Sequence, residues 1–169
     1  MLPLVSIIMG STSDLKVMSK AAELLNQQQI PFEINALSAH RTPQAVEQFA
    51  RQAAGRGVKV IIAGAGMAAA LPGVIAASTT LPVIGVPISG SVLDGLDATL
   101  SILQMPPGIP VATVAINGAL NAAVLAMQML ALADPDIADK LANYKSSLRH
   151  KIEQANADLA EVRYDYKTN

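Results

Sequence analysis

Three short segments hold residue types able to bind an anion and move a proton. Gly10-Ser11-Thr12-Ser13-Asp14 places a glycine, three hydroxyls and a carboxylate at the start of a helical pattern. Backbone N–H groups and hydroxyls so arranged suit an anionic ligand. A helix cap would need only Ser13 or Asp14; three hydroxyls exceed that need, and Asp14 adds an acceptor for sugar hydroxyls. The second segment is Ser38-Ala39-His40-Arg41-Thr42-Pro43. His40 can donate or accept a proton near neutral pH. Arg41 beside it is a permanent planar cation that fits a phosphate or carboxylate. The third, Gly64-Ala65-Gly66-Met67-Ala68-Ala69-Ala70-Leu71-Pro72-Gly73, lets backbone approach a small planar ligand.

Other chemistries lack their residues. Gly64, Gly66 and Ala69 fit the dinucleotide fingerprint literally, but that motif wants an acid about 20 residues on. None occurs before Asp94, and the segment follows the third predicted strand rather than the first. No nicotinamide or flavin site is therefore expected. There is no cysteine, and His40 and His150 are the only histidines. This excludes thiolate nucleophiles and cysteine-bound zinc and disfavours a multi-histidine metal site, so neither cofactor nor metal is expected. Ser11, His40 and Asp14 can be drawn as a triad, but no G-x-S-x-G elbow accompanies them, and no Walker A sequence is present. His150 sits between Arg149 and Lys151 in a charged tail and reads as a solvated residue. An acid/base histidine, an arginine, an aspartate and a hydroxyl-rich loop remain. They suit proton transfer or carboxyl migration on a small phosphorylated metabolite.

The elements that must position these loops follow from short apolar runs alternating with amphipathic or alanine-rich segments. Strands are predicted over Leu4–Met9, Phe32–Leu37, Val58–Ala63, Pro82–Val86 and Val111–Ile116. Helices are predicted from Asp14 to about Gln28, from Thr42-Pro43 to about Gly55, and over Pro72–Ala77, Leu93–Leu103, Ala119–Leu132 and Asp136–Asn156. Thr42 is placed as an N-cap with Pro43 in the first turn. The succession predicts an α/β fold: a three-layer, doubly wound parallel sheet of the flavodoxin-like or Rossmann-like kind. Residues 1–169 read as one domain, with a core over about 3–133 and a helical extension over about 134–169. Ligands of such sheets bind at the carboxyl ends of the strands, where all three segments fall.

Charge is unevenly spread. Residues 134–169 hold 13 of the 25 charged side chains, and neither Val60–Leu93 nor Ala98–Ala133 holds any. A monomer this small should expose more charge, so part of the surface is expected to lie against other copies. A net charge of -1 and 3% aromatic residues, none of them Trp, argue against a nucleic-acid partner. Val111–Ala133 is uncharged and long enough for a bilayer, but Asn117-Gly118, Asn121 and Gln128 interrupt it. The start Met1-Leu2-Pro3 lacks the basic region of a signal peptide, so a soluble cytoplasmic protein is expected.

The same segments carry a family resemblance. Met9-Gly10-Ser11-Thr12-Ser13-Asp14, SAHRTP at 38–43 and IAGAG at 62–66 resemble the PurE family of purine biosynthesis. LPVIGVP at 81–87, SILQMPPGIP at 101–110 and NAAVLA at 121–126 continue the resemblance, in register from about residue 4 to 140. It implies interconversion of N5-carboxyaminoimidazole ribonucleotide and 4-carboxy-5-aminoimidazole ribonucleotide, through CO2 and without a cofactor. It also implies a homo-octamer with sites between subunits, and a functional link to the ATP-dependent synthetase that makes the substrate. Carried over by position, His40 is the acid/base residue. Ser11, Asp14 and Arg41 match substrate-binding positions, with Gly10, Ser13, Ser38, Gly64, Ala65, Gly66 and Met67 lining the same pocket.

Departures from the pattern are local. The mutase branch has GAGGAAHLPG where this chain has Met67 for a glycine and Ala70 for the histidine. Ala115–Asn121 is shorter than usual, a feature of the branch that carboxylates aminoimidazole ribonucleotide directly with CO2. The alternatives to a mutase are thus a direct carboxylase or a non-catalytic nucleotide-binding paralogue. SAHRTP and the GVP and QMP segments resemble the mutase branch, and His40, Arg41 and Asp14 all remain.

Overall fold

The computed structural model describes residues 1–90 and 92–169. Five parallel strands, β1 (Val5–Met9), β2 (Phe32–Ala36), β3 (Val60–Gly66), β4 (Val83–Ile88) and β5 (Ala112–Thr113), pair in the order β2-β1-β3-β4-β5. Six helices complete the chain: α1 (Leu15–Gln27), α2 (Pro43–Gln52), α3 (Leu71–Ala77), α4 (Leu96–Leu103), α5 (Ala119–Ala131) and α6 (Pro135–Glu161). After β1 the chain steps outward to β2 and then crosses back to β3. The order therefore reverses between β1 and β3, and a crevice opens there at the carboxyl ends.

Strand alternation divides the core into two layers. Val5, Ile7 and Met9 of β1, with Ile62, Ile84 and Val86, face α1 and α5, where Met18, Leu25, Ala122 and Met127 are fully buried. Ile8, Ile61 and Val83 face the opposite layer of α2, α3 and α4, closed by Val46, Ile75, Ala98 and Ile102. This two-sided burial is why β1, β3 and β4 read as continuous apolar runs. Gly85 marks the tightest approach: a Cβ there would lie 2.4 Å from Cγ2 of Ile102 and 2.9 Å from Cγ1 of Val111. Ser6 is the one buried polar residue among those described, and its hydroxyl donates to Oε1 of Glu33 at 2.9 Å. Arg56 donates to the same oxygen at 2.8 Å and lies 4.7 Å from the Phe49 ring centroid.

Several boundaries differ from the sequence expectation, each for a local reason. β5 has two residues rather than the six of Val111–Ile116. Asn117 turns the chain there in a left-handed conformation (φ 57°), its N–H donating to the Pro87 carbonyl at 2.8 Å. α4 begins at Leu96, not Leu93, because Asp94 (φ 50°) and Gly95 (φ 92°) form a left-handed turn. β3 runs on to Gly66, so Gly64-Ala65-Gly66 is strand rather than loop, paired with β4 as far as Gly66 and Ile88. Thr42 occupies the N-cap position of α2 with Pro43 in the first turn, as expected, but its side chain makes no cap bond; its hydroxyl donates to the Ser38 carbonyl at 3.0 Å. α6 starts a residue early and ends later than predicted, with Pro135 in its first turn and Asp134 accepting from the amides of Asp136 and Ile137.

Candidate active site

The loop after β1 is a built structure. Ser11 is extended, and its Oγ accepts from the Ser13 amide at 3.3 Å. Thr12–Asp14 then forms one 3-10 turn that feeds α1. The cap is thus Ser11, not Ser13 or Asp14. Ser13 Oγ instead donates to Oδ1 of Asp14 at 3.3 Å. Burial pushes the Asp14 carboxyl above its ordinary value, against the lowering effect of hydrogen bonds from Ser13 and the Ser11 backbone.

Arg41 ties the loop after β2 to the loop after β1. Its Nη2 donates to the Gly10 carbonyl at 3.1 Å, its Nε to Ser38 Oγ at 3.3 Å, and its backbone N–H to the same hydroxyl at 3.2 Å. Ser38 is fixed in turn by Thr42, whose Oγ1 accepts from the Ser38 amide at 3.0 Å. The guanidinium is therefore held in place, with Nη1 outside these bonds. His40, the residue before it, is exposed on the same turn.

These loops meet the end of β3 around one cleft of about 770 Å³. Gly10, Ser11, Ser13, Asp14, Ser38, His40, Arg41, Ala65, Gly66 and Met67, all singled out from sequence, line it. Gly64 does not: it lies deeper in β3, where a Cβ would come 2.4 Å from Sδ of Met18 and 3.1 Å from Cδ1 of Ile88. Its bare backbone lets α1 and β4 close beneath the floor of the cleft. Sequence reading missed Lys16, on the first turn of α1, and Ile88 at the end of β4 with Ser89-Gly90 after it. Lys16 follows Asp14 by two residues, a spacing that offered a signal. The β4 loop carries no chemically marked residue, and only the fold brings it to the cleft. Asn117 holds that loop, its Oδ1 accepting from the Ser89 amide at 3.0 Å and its Nδ2 donating to Ser89 Oγ at 2.9 Å. His150 is far off on α6, with Nδ1 3.0 Å from Oε2 of Glu153. A smaller hollow of about 340 Å³ at the β2 edge, lined by Glu33, Phe49 and Arg56, contains none of these loop residues.

Fold and cleft together define a doubly wound α/β protein whose switch-point cleft sets a histidine beside an arginine. The family model described as AIR carboxylase matches residues 4–151, and the chain belongs to that family. It is 53% identical over 163 residues to an N5-carboxyaminoimidazole ribonucleotide mutase of Pyrococcus horikoshii, covering 96% of this chain and 92% of the relative. A phosphoribosylaminoimidazole carboxylase of Candida glabrata is 51% identical over 163 residues, which span 96% of this chain but 29% of that protein. A crystal structure of Treponema denticola PurE superposes with a TM-score of 0.84 at 34% identity, over 93% of this chain and 98% of the other. No helix among the described residues is long and apolar enough to cross a membrane.

Proposed function

We propose that this protein interconverts N5-carboxyaminoimidazole ribonucleotide and 4-carboxy-5-aminoimidazole ribonucleotide in purine biosynthesis. The observation that carries this reading is His40 and Arg41 standing in one cleft with the Ser11–Asp14 loop and the apolar wall of residues 65–70. Relatives matched over more than nine-tenths of their own length, at 53% and 51% identity, are named as the mutase, which supports this reading.

Arg41 with the hydroxyls of Ser11, Ser13 and Ser38 receives the phosphate, and Asp14 accepts from the ribose hydroxyls. Gly10 and the backbone of Ala65, Gly66 and Met67 flank the aminoimidazole ring, while Gly64 supports that floor from below. His40 gives a proton to the exocyclic nitrogen as the bond to its carboxylate breaks, leaving an amine and CO2 beside the ring. Carbon 4 attacks the CO2, and His40 takes the ring proton that is displaced; the reverse direction returns it. Holding CO2 against the ring replaces a bimolecular encounter, a gain of up to about 7–11 kcal/mol. The steps call on no metal or organic cofactor.

Residues 1–169 act in this reading as one domain, its core about 3–133 and its helical extension about 134–169. A homo-octamer in the cytoplasm, receiving substrate from an ATP-dependent synthetase, belongs to the same proposal. The exposed apolar side chains of Leu96 (54%), Leu100 (47%) and Leu103 (57%) on α4, and of Ile152 (66%) and Leu159 (59%) on α6, support an assembly. The biological test is rescue of a purine auxotroph lacking the mutase. Rescue at ambient CO2 is expected. Growth only under raised CO2 points to direct carboxylation, and no rescue under either condition points to a non-catalytic paralogue.

A further inference from the structure

Lys16 stands in the wall of the cleft without a task in the proposed mechanism. It occupies the first turn of α1, and side chains three and four apart share one face of a helix. Ser13, Lys16 and Val17 follow that spacing, and all three line the cleft. Helical side chains lean toward the N-terminus of their own helix, so the Lys16 stem runs back over the turn that holds the Ser11 and Ser13 hydroxyls. Thr12, Ser13, Ser19 and Lys20, at the neighbouring spacings, offer no carboxylate, and exposed Lys16 forms no ion pair among the described residues. The charges of the cleft point the same way. Its charged lining side chains are Asp14, Lys16 and Arg41. With His40 neutral, Asp14 offsets Arg41, and Lys16 alone makes the cleft net positive. Arg41 also commits Nε to Ser38 and Nη2 to Gly10. A phosphate monoester carries a charge of about -1.5 to -2 at pH 7, more than one partly committed arginine can balance.

We infer that Lys16 is a further substrate-binding residue, the second cation on the nucleotide's phosphate, reaching it across Ser13 while Arg41 holds it from the loop after β2. The inference rests on the mutase reading above and adds which anionic group of the substrate the α1 side of the cleft recognises: the phosphate, not the carboxylate that migrates. An ammonium on a flexible stem acts as a point charge and needs no fixed geometry, so Lys16 can meet the phosphate as it enters. Its contribution is exposed to solvent and is therefore screened by salt.

The test separates the two anionic groups. Aminoimidazole ribonucleotide has the phosphate alone, and 4-carboxy-5-aminoimidazole ribonucleotide has phosphate and carboxylate. Each is titrated by calorimetry into the parent protein, Lys16→Gln and Lys16→Arg, at low and at high salt. Glutamine is as good a helix former as lysine and the position is exposed, so the variant folds. At low salt Lys16→Gln is expected to weaken both nucleotides by the same factor, about ten-fold, as loss of a charge-assisted bond implies. The difference from the parent should shrink at high salt, and Lys16→Arg should keep most of the affinity. Equal affinities in Lys16→Gln and the parent overturn the inference. A loss confined to the 4-carboxy nucleotide also overturns it, because the lysine then serves the carboxylate. So does a salt-independent loss that Lys16→Arg shares in full, which marks a structural role. A parent protein that binds neither nucleotide overturns the mutase reading itself, a result distinct from these.

Discussion

In the proposed mechanism His40, Arg41 and Asp14 divide the work of the cleft among proton transfer, charge and sugar recognition, and each makes a separate demand on mutagenesis. His40→Asn removes the proton acceptor from an exposed turn, so turnover should fall by at least about 100-fold, as for loss of a general acid–base residue. Size-exclusion elution should not move; retention of most activity would take His40 out of the mechanism. Arg41→Ala removes both a ligand cation and the bond to Gly10, and the Michaelis constant should rise more than ten-fold, as loss of a charge-assisted contact worth about 1.5–3 kcal/mol implies. An unchanged Michaelis constant would contradict the anion role. For Asp14 the sign follows from burial. Its native carboxyl titrates above the unfolded one, so the native state holds the extra proton between the two values and stability falls as pH rises through that window. Asp14→Asn should therefore raise the urea midpoint at neutral pH relative to the parent and lose that advantage in acid, while weakening substrate binding. The residue types of the cleft were legible in the sequence because histidine, arginine and clustered hydroxyls at strand ends have few structural uses. Gly64 was misplaced, since a glycine needed for packing and one lining a ligand look alike before the strand end is known.

At the scale of elements, the β–α succession was readable from apolar runs and proline or glycine breaks, while the ends depended on contacts distant in sequence. β5 stops at Thr113 because Asn117 bonds to Pro87 and Ser89 on β4 and its loop, a pairing nearly 30 residues apart. Asn117→Ala would leave the Ser89 amide without its partner and put alanine at φ 57°, costing about 1–3 kcal/mol for the lost bond alone. Because that loop lines the cleft, the Michaelis constant should rise as stability falls, whereas Asn117→Asp, keeping the acceptor, should lose less of both. Gly85→Ala would press a methyl group onto Ile102 and Val111, neither of which has a long flexible end to yield. Overpacking of this kind costs about 1–3 kcal/mol, measurable as a lower denaturant midpoint at unchanged slope.

For the whole molecule, two apolar surfaces are left over once the core is built. One spans Leu96, Leu100 and Leu103 on α4; the other follows Leu148, Ile152 and Leu159 along α6, whose start packs through Ile137 while residues 147–161 are exposed. The sequence signalled part of the first, since Leu100 and Leu103 fall in the charge-free stretch Ala98–Ala133, though which helix carried them to the surface required the fold. Charge placed there should break the proposed assembly before it breaks the domain. Leu96→Lys with Leu100→Lys is expected to shift the parent oligomer to smaller species in light scattering while helical circular dichroism is kept. An unchanged mass would show that this face is not an interface.

Carboxyl migration within a single nucleotide can be followed in one assay. Purified protein is mixed with N5-carboxyaminoimidazole ribonucleotide in buffer without added bicarbonate, and products are followed by ultraviolet absorbance and chromatography. The expected result is 4-carboxy-5-aminoimidazole ribonucleotide formed at once and in proportion to enzyme, with none from His40→Asn. Aminoimidazole ribonucleotide as the sole product, at the rate of spontaneous breakdown, would contradict it.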